Sequence, residues 1–129
     1  MELKFSPVDR DKVVRGEIII SPDHYQVLAS RTINMELSKG DAGKHALFGM
    51  CSEIGELQAL YQKRYQGHAF DEEHAQKEVG DLLWFIAEYC TVHEWSLTKI
   101  MEKNIEKLRD RYPEGFEAEK SLNRKEGDI

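Results

Sequence analysis

The chain has 129 residues, of which 40% are hydrophobic and 33% charged, and its formal net charge is -6. That length suits one domain with a core of its own. The acidic balance argues against a nucleic acid polymer or an anionic membrane as partner. No apolar run reaches the length of a membrane span, and Met1 to Arg15 lacks the apolar centre of a signal peptide. The two cysteines, Cys51 and Cys90, sit among apolar residues. They read as reduced core thiols, which fits a cytoplasmic protein.

Residues 1–20 read as an N-terminal arm. Val13, Val14, Ile18, Ile19 and Ile20 flank Gly16, which suggests extended chain rather than helix. Ser21-Pro22-Asp23 is a helix start, with a capping oxygen, a proline at the first turn and an acid at the positive end of the dipole. The first helix is predicted over Pro22 to Glu36, with Tyr25, Leu28, Ala29, Thr32 and Met35 on one side. Leu37 to Gly43 reads as a loop because it holds Gly40 and Gly43. A second helix follows over Lys44 to Tyr65, where Leu47, Met50, Ile54, Leu57 and Tyr61 make an amphipathic stripe. Asp71-Glu72-Glu73 opens a third helix to about His93, apolar over a wide arc and therefore central. Ser96 caps a fourth, Leu97 to Arg111, whose apolar side is Ile100, Met101, Ile105 and Leu108. Tyr112-Pro113-Glu114-Gly115 ends it, and the charged tail, residues 117–129, is expected to fray.

The most specific signal is a pair of acidic motifs, Glu53-Ile-Gly-Glu56 and Glu78-Val-Gly-Asp81. A spacing of three puts both carboxylates of each motif on one helix face. The connector from residue 57 to residue 77 is long enough to finish one helix, turn, and bring the second pair level with the first. Four converging carboxylates repel one another and are costly to desolvate. A hard divalent cation relieves both costs, and Mg²⁺ takes such oxygen ligands. Gly55, between two glutamates, suggests close approach of a neighbouring backbone or ligand. The histidines His24, His45, His68, His74 and His93 are scattered and supply no paired metal motif. No serine or cysteine nucleophile with a paired histidine is evident, which favours direct attack by water.

These residues resemble the MazG-like members of the all-α nucleoside triphosphate pyrophosphohydrolases. The likeness runs through His45-Ala-Leu-Phe-Gly-Met-Cys-Ser-Glu53-Ile-Gly-Glu56-Leu57, then Lys77-Glu78-Val-Gly-Asp81-Leu-Leu-Trp84, then Asn104-Ile-Glu-Lys107-Leu-Arg-Asp-Arg111-Tyr112-Pro113. The resemblance implies an all-α fold, a four-helix bundle completed by oligomerisation, over residues 21–116. It implies hydrolysis of a (deoxy)nucleoside triphosphate to the monophosphate and pyrophosphate by metal-activated water, with Mg²⁺ as cofactor and Mn²⁺ as a substitute. It implies a homodimer or homotetramer in which helices from two chains share each bundle. Glu53, Glu56, Glu78 and Asp81 then correspond to the catalytic metal ligands, with Glu53 also orienting the attacking water. Asn104 and Lys107 correspond to triphosphate contacts. Lys63, Arg64, Arg111 and Tyr112 are further candidates for phosphate or sugar, and Trp84 for the edge of the base pocket, or alternatively a core tryptophan. The competing reading is a helical oligomer that binds a nucleotide or a protein without turnover.

Overall fold

Each long helix begins where a side-chain oxygen can take an otherwise unpartnered backbone N–H. In a computed structural model describing residues 19 and 21–129, Ser21, Ser38, Asp71 and Ser96 accept from the backbone N–H of His24, Asp41, His74 and Lys99. The helices that follow are α1 (Pro22–Ser30), α2 (Lys39–Tyr65), α3 (Glu72–Val92) and α4 (Leu97–Arg111), with a short α5 (Ala118–Leu122) in the tail. Among the described residues there is no strand, and the fold is all-α as expected. The expected N-terminal arm lies outside the described residues, apart from Ile19.

The central helix is α3, packed along α2 on one side and against α1 on another. Residues that meet across α2 and α3 set an antiparallel register. His45 meets Glu88, Gly49 meets Phe85, and Glu53 meets Glu78 and Asp81. Gly49 permits this approach, because a Cβ there would run into the Phe85 ring. Small residues continue the pattern: Ala42, Gly43, Ala46 and Ala87 are buried.

α4 joins the bundle mainly through α1. Asp23 of α1 accepts from the Thr98 backbone N–H at 2.9 Å and from the Ser96 hydroxyl at 2.9 Å. Gln26 adds three bonds there: its carbonyl oxygen accepts from the Leu97 N–H at 2.9 Å, and its amide donates to the Trp95 carbonyl and the Thr91 hydroxyl. Asp23 thus serves the N-terminus of a second helix as well as its own. The Thr98 N–H and the Ser96 hydroxyl hold its carboxyl below the usual range.

Several boundaries differ from the sequence reading. α1 stops at Ser30, not Glu36, and Met35 is 85% exposed. The Trp84 indole N–H reaches both the Ala29 carbonyl (3.2 Å) and the Thr32 hydroxyl (2.8 Å), a tertiary tie at the end of the helix. α2 starts at Lys39, so the expected loop over Leu37 to Gly43 is mostly helix. Ser38 both accepts from the Asp41 N–H and donates to the Asp41 carboxylate, and this reciprocal cap outweighs the cost of two helical glycines. Gly55 meets nothing within 4 Å, so the close approach expected there occurs at Gly49 instead. Cys90 is buried, but Cys51 is exposed; both are free thiols. The tail is not simply frayed: it forms α5, and Asp128 returns to pair with Arg111.

Replacing Gly49 with alanine tests the register. The Phe85 ring must move or the helices must part, and overpacking of this kind costs about 1–3 kcal/mol. Urea denaturation of Gly49→Ala is expected to show that loss, whereas Gly55→Ala, with open space around it, is expected to match or exceed the parent.

Candidate active site

The acidic motifs meet at mid-length of α2 and α3. Oxygens of Glu53, Glu78 and Asp81 all lie within 4.8 Å of one another. Burial is graded across them: Glu78 is 6% exposed, Glu53 is half-buried and Asp81 faces solvent. Glu56 falls outside this group of three and is exposed, yet its charge still acts on Glu53. Burial pushes the Glu53 carboxyl up first. A hydrogen bond to Glu78 and the charges of Asp81, Glu56 and Glu78 push it further.

The three acids differ in their partners. A Glu78 carboxylate oxygen meets His74 Nε2 one turn earlier on α3. His74 is itself at the start of that helix, where its backbone N–H is taken by Asp71. The sequence reading counted His74 among the scattered histidines; the signal was its spacing of four from Glu78. Tyr25 of α1 also stands near the group. Burial raises the pKa of its phenol, and the Asp81 charge adds to that. It was read as an apolar-side residue only.

An all-oxygen donor set under mutual repulsion suits a hard divalent cation. The fit is supported by Glu53, which is driven toward its neutral form by burial first and by the neighbouring carboxylates after it. A cation at the group would reverse that pressure.

A family model described as the MazG nucleotide pyrophosphohydrolase domain matches residues 44–116, more than half of the chain and the whole of the acidic motif region. The chain belongs to the MazG family. Membership carries nucleotide pyrophosphohydrolase activity as the general chemistry of the domain. Comparison with curated proteins gave no match, and comparison with solved structures gave none either.

The other candidate residues of this MazG domain do not gather at the acids within one chain. Asn104 and Lys107 are exposed on α4, the helix that packs mainly on α1. Lys107 and Arg111 line an open groove of about 780 Å³ between α4 and the tail, with Lys103, Lys120 and Lys125 around it. Arg111 is engaged there, its guanidinium held by the two carboxylate oxygens of Asp128. That pairing holds the Asp128 carboxyl below the usual range and lifts the guanidinium higher still. Tyr112 packs tilted against Phe116, with ring centroids 5.4 Å apart. Lys63 is exposed in the last turn of α2, and Arg64 lies 5.7 Å over the Phe70 ring. Trp84 packs at 5.1 Å against Phe85, and its indole is tied to Ala29 and Thr32.

The sequence reading also missed Glu88. Its carboxylate is 0% exposed and bonds His45 Nδ1 at 2.9 and 3.0 Å, across 43 residues of sequence. No local spacing could have announced that pair.

The raised Glu53 pKa fixes the sign of a pH effect. Folding raises this pKa, so the ionised carboxylate costs stability at neutral pH. The cost disappears as pH falls through the raised value toward the ordinary range near 4.5. In chelator, Glu53→Gln is therefore expected to melt above the parent at pH 7, with the gap closing toward pH 4.5. Melting curves of both proteins across that range check it; a gap independent of pH would contradict the crowding of the acids.

Proposed function

We propose that this MazG domain is an Mg²⁺-dependent hydrolase that cuts a (deoxy)nucleoside triphosphate to the monophosphate and pyrophosphate. The observation that carries this reading is the three-acid group of Glu53, Glu78 and Asp81. Such a set would hold Mg²⁺, which supplies charge neutralisation for the triphosphate and activation of the attacking water. Glu56, exposed beside the group, completes the proposed ligand set.

The chain's own residues divide the remaining work. Glu53 is the acid best suited to orient the water and take its proton, because its raised pKa brings its basicity nearer neutral pH. His74 steadies Glu78 through the contact of Nε2 with its carboxylate. Tyr25 borders Asp81 from α1. Asn104 and Lys107 bind the phosphates, with Lys63, Arg111 and Tyr112 as further contacts for phosphate or sugar. Lysine charge stabilises what develops on the leaving pyrophosphate. Arg111 reaches substrate by exchanging the Asp128 carboxylate for a phosphate, which also offers the guanidinium fork two acceptor oxygens.

A second copy of the chain completes the site in this reading. Leu47, Ile54 and Tyr61 on α2 and Ile100, Met101, Ile105 and Leu108 on α4 are exposed in one chain. Two apolar faces of this size call for cover. Assembly as a homodimer or homotetramer would supply it and would bring α4 with Asn104 and Lys107 beside the acids of a neighbouring copy.

The test is pyrophosphate release from a mixture of nucleoside triphosphates, with Mg²⁺ or with chelator. Release is expected with the metal alone. Glu53→Gln is expected to lose about 10²–10⁴-fold in kcat, the usual worth of a positioned general base. Asp81→Ala is also expected to abolish turnover. Because Asp81 is exposed, its removal should leave circular dichroism unchanged and stability within about 0.5 kcal/mol. No release from any nucleotide would leave a binding oligomer as the surviving account.

A further inference from the structure

Residues 117–129 are held to the bundle by charge rather than by a core. α5 buries no residue, and Leu122 and Ile129 stay exposed. Among the described residues, the hydrogen bonds that join this tail to the long helices all run between Asp128 and Arg111. Its other bonds stay within it, such as Lys120 to the Glu117 carboxylate and the Asp128 N–H to the Lys125 carbonyl. Gly115 and Gly127 both take the left-handed backbone that favours glycine, with φ of 96° and 84°, one near each end of the tail. Gly127 turns the chain immediately before Asp128, whose carboxylate meets α4.

That single tie fills an anion seat. The Arg111 Nε–H donates to one Asp128 oxygen at 2.6 Å and the Nη2–H donates to the other, the two-pronged grip that a guanidinium also gives phosphate. Both side chains are sheltered, at 10% and 15% exposed. The Arg111 bond, and after it the charges of Arg111, Arg124 and Lys107, hold the carboxyl below the usual range. Three cations thus act on one carboxylate. Around them lies the open groove of about 780 Å³, where five cationic side chains face four acidic ones, Asp128 included. With Asp128 withdrawn the balance is five against three, and the guanidinium fork is uncovered.

We infer that the tail is a strap that shuts a phosphate seat on α4: Asp128 occupies Arg111 in the resting chain, and a diphosphate group displaces it. The diphosphate is that of a nucleotide or of free pyrophosphate, which offer the groove the same chemistry. Either brings more charge and more acceptor oxygens than one carboxylate, and the tail swings open at its two glycines. Affinity for the ligand is reduced by the fraction of time the strap is open. This rests on the proposed hydrolase reading only for the arrival of a nucleotide's phosphates at α4.

Calorimetric binding of pyrophosphate in chelator reads the seat without metal or turnover. Asp128→Ala is expected to lower the Kd roughly three- to tenfold, as for the loss of one competing ion pair of good geometry. Arg111→Ala should weaken binding and, combined with Asp128→Ala, remove the gain. Hydrogen exchange of amides 118–128 should quicken when pyrophosphate is added to the parent. Steady-state kinetics separate the two sources. A fall in the KM for triphosphate in Asp128→Ala, with kcat unchanged, puts the nucleotide in the seat; an unchanged KM with stronger inhibition by pyrophosphate puts the free product there. A purely structural tie would lower the melting temperature of Asp128→Ala and leave the pyrophosphate Kd and the tail exchange untouched, which overturns the inference. The expected gain in binding without hydrolysis of any nucleotide would remove the hydrolase reading and keep the strap. Hydrolysis with no change in Kd, KM or inhibition would remove the strap alone.

Discussion

The antiparallel register of α2 against α3 is the constraint on which the site depends. Gly49 lets the Phe85 ring seat directly on the α2 backbone. One turn to one side, that contact brings Glu53 level with Glu78 and Asp81. One turn to the other, it brings His45 level with Glu88. A slip of one residue would turn side chains by about 100° around the helix and dissolve both groups. Steric closeness at one glycine is therefore coupled to electrostatics at two places along the seam.

The interior that supports this seam is built mostly from small side chains. Ala29, Ala42, Ala46, Ala75 and Ala87 are buried, with Leu60, Cys90 and Leu97 among the larger ones. Alanine gives close backbones and high helix propensity but little apolar area per residue. Leu47, Ile54 and Tyr61 of the α2 stripe, and Ile100, Met101, Ile105 and Leu108 of α4, stay exposed in the single chain. Periodicity thus marks which face seeks apolar cover, and it is silent on whether the cover comes from the same chain.

Fold class and the acidic group were legible because both follow from local spacing. Glu53, Glu78 and Asp81 lie on regular helices whose caps, Asp71 and Ser96 among them, are written in sequence. What escaped was tertiary. Glycines 40 and 43 argued for a loop, but Ser38 and Asp41 start a helix through them. The end of α1 is tied to Trp84, 52 residues distant from its Thr32 partner. Arg111 looked free for phosphate, yet a tail carboxylate holds it. His45 looked stray because its partner lies on another helix.

The partners of the buried acids separate their roles. Glu88 and Glu78 each have an imidazole nitrogen against a carboxylate oxygen, so each has a polar partner within the chain. Glu53 carries no such partner and instead meets three other carboxylates, whose repulsion adds to burial in lifting its pKa. The two buried acids thus each have a histidine partner, and the half-buried Glu53 is held in a state that a cation, or a proton taken from water, would relax. An arrangement of this kind costs stability without giving structure in return. That asymmetry, rather than the number of acids, is what supports the proposed reading of the α2–α3 seam as a site for chemistry.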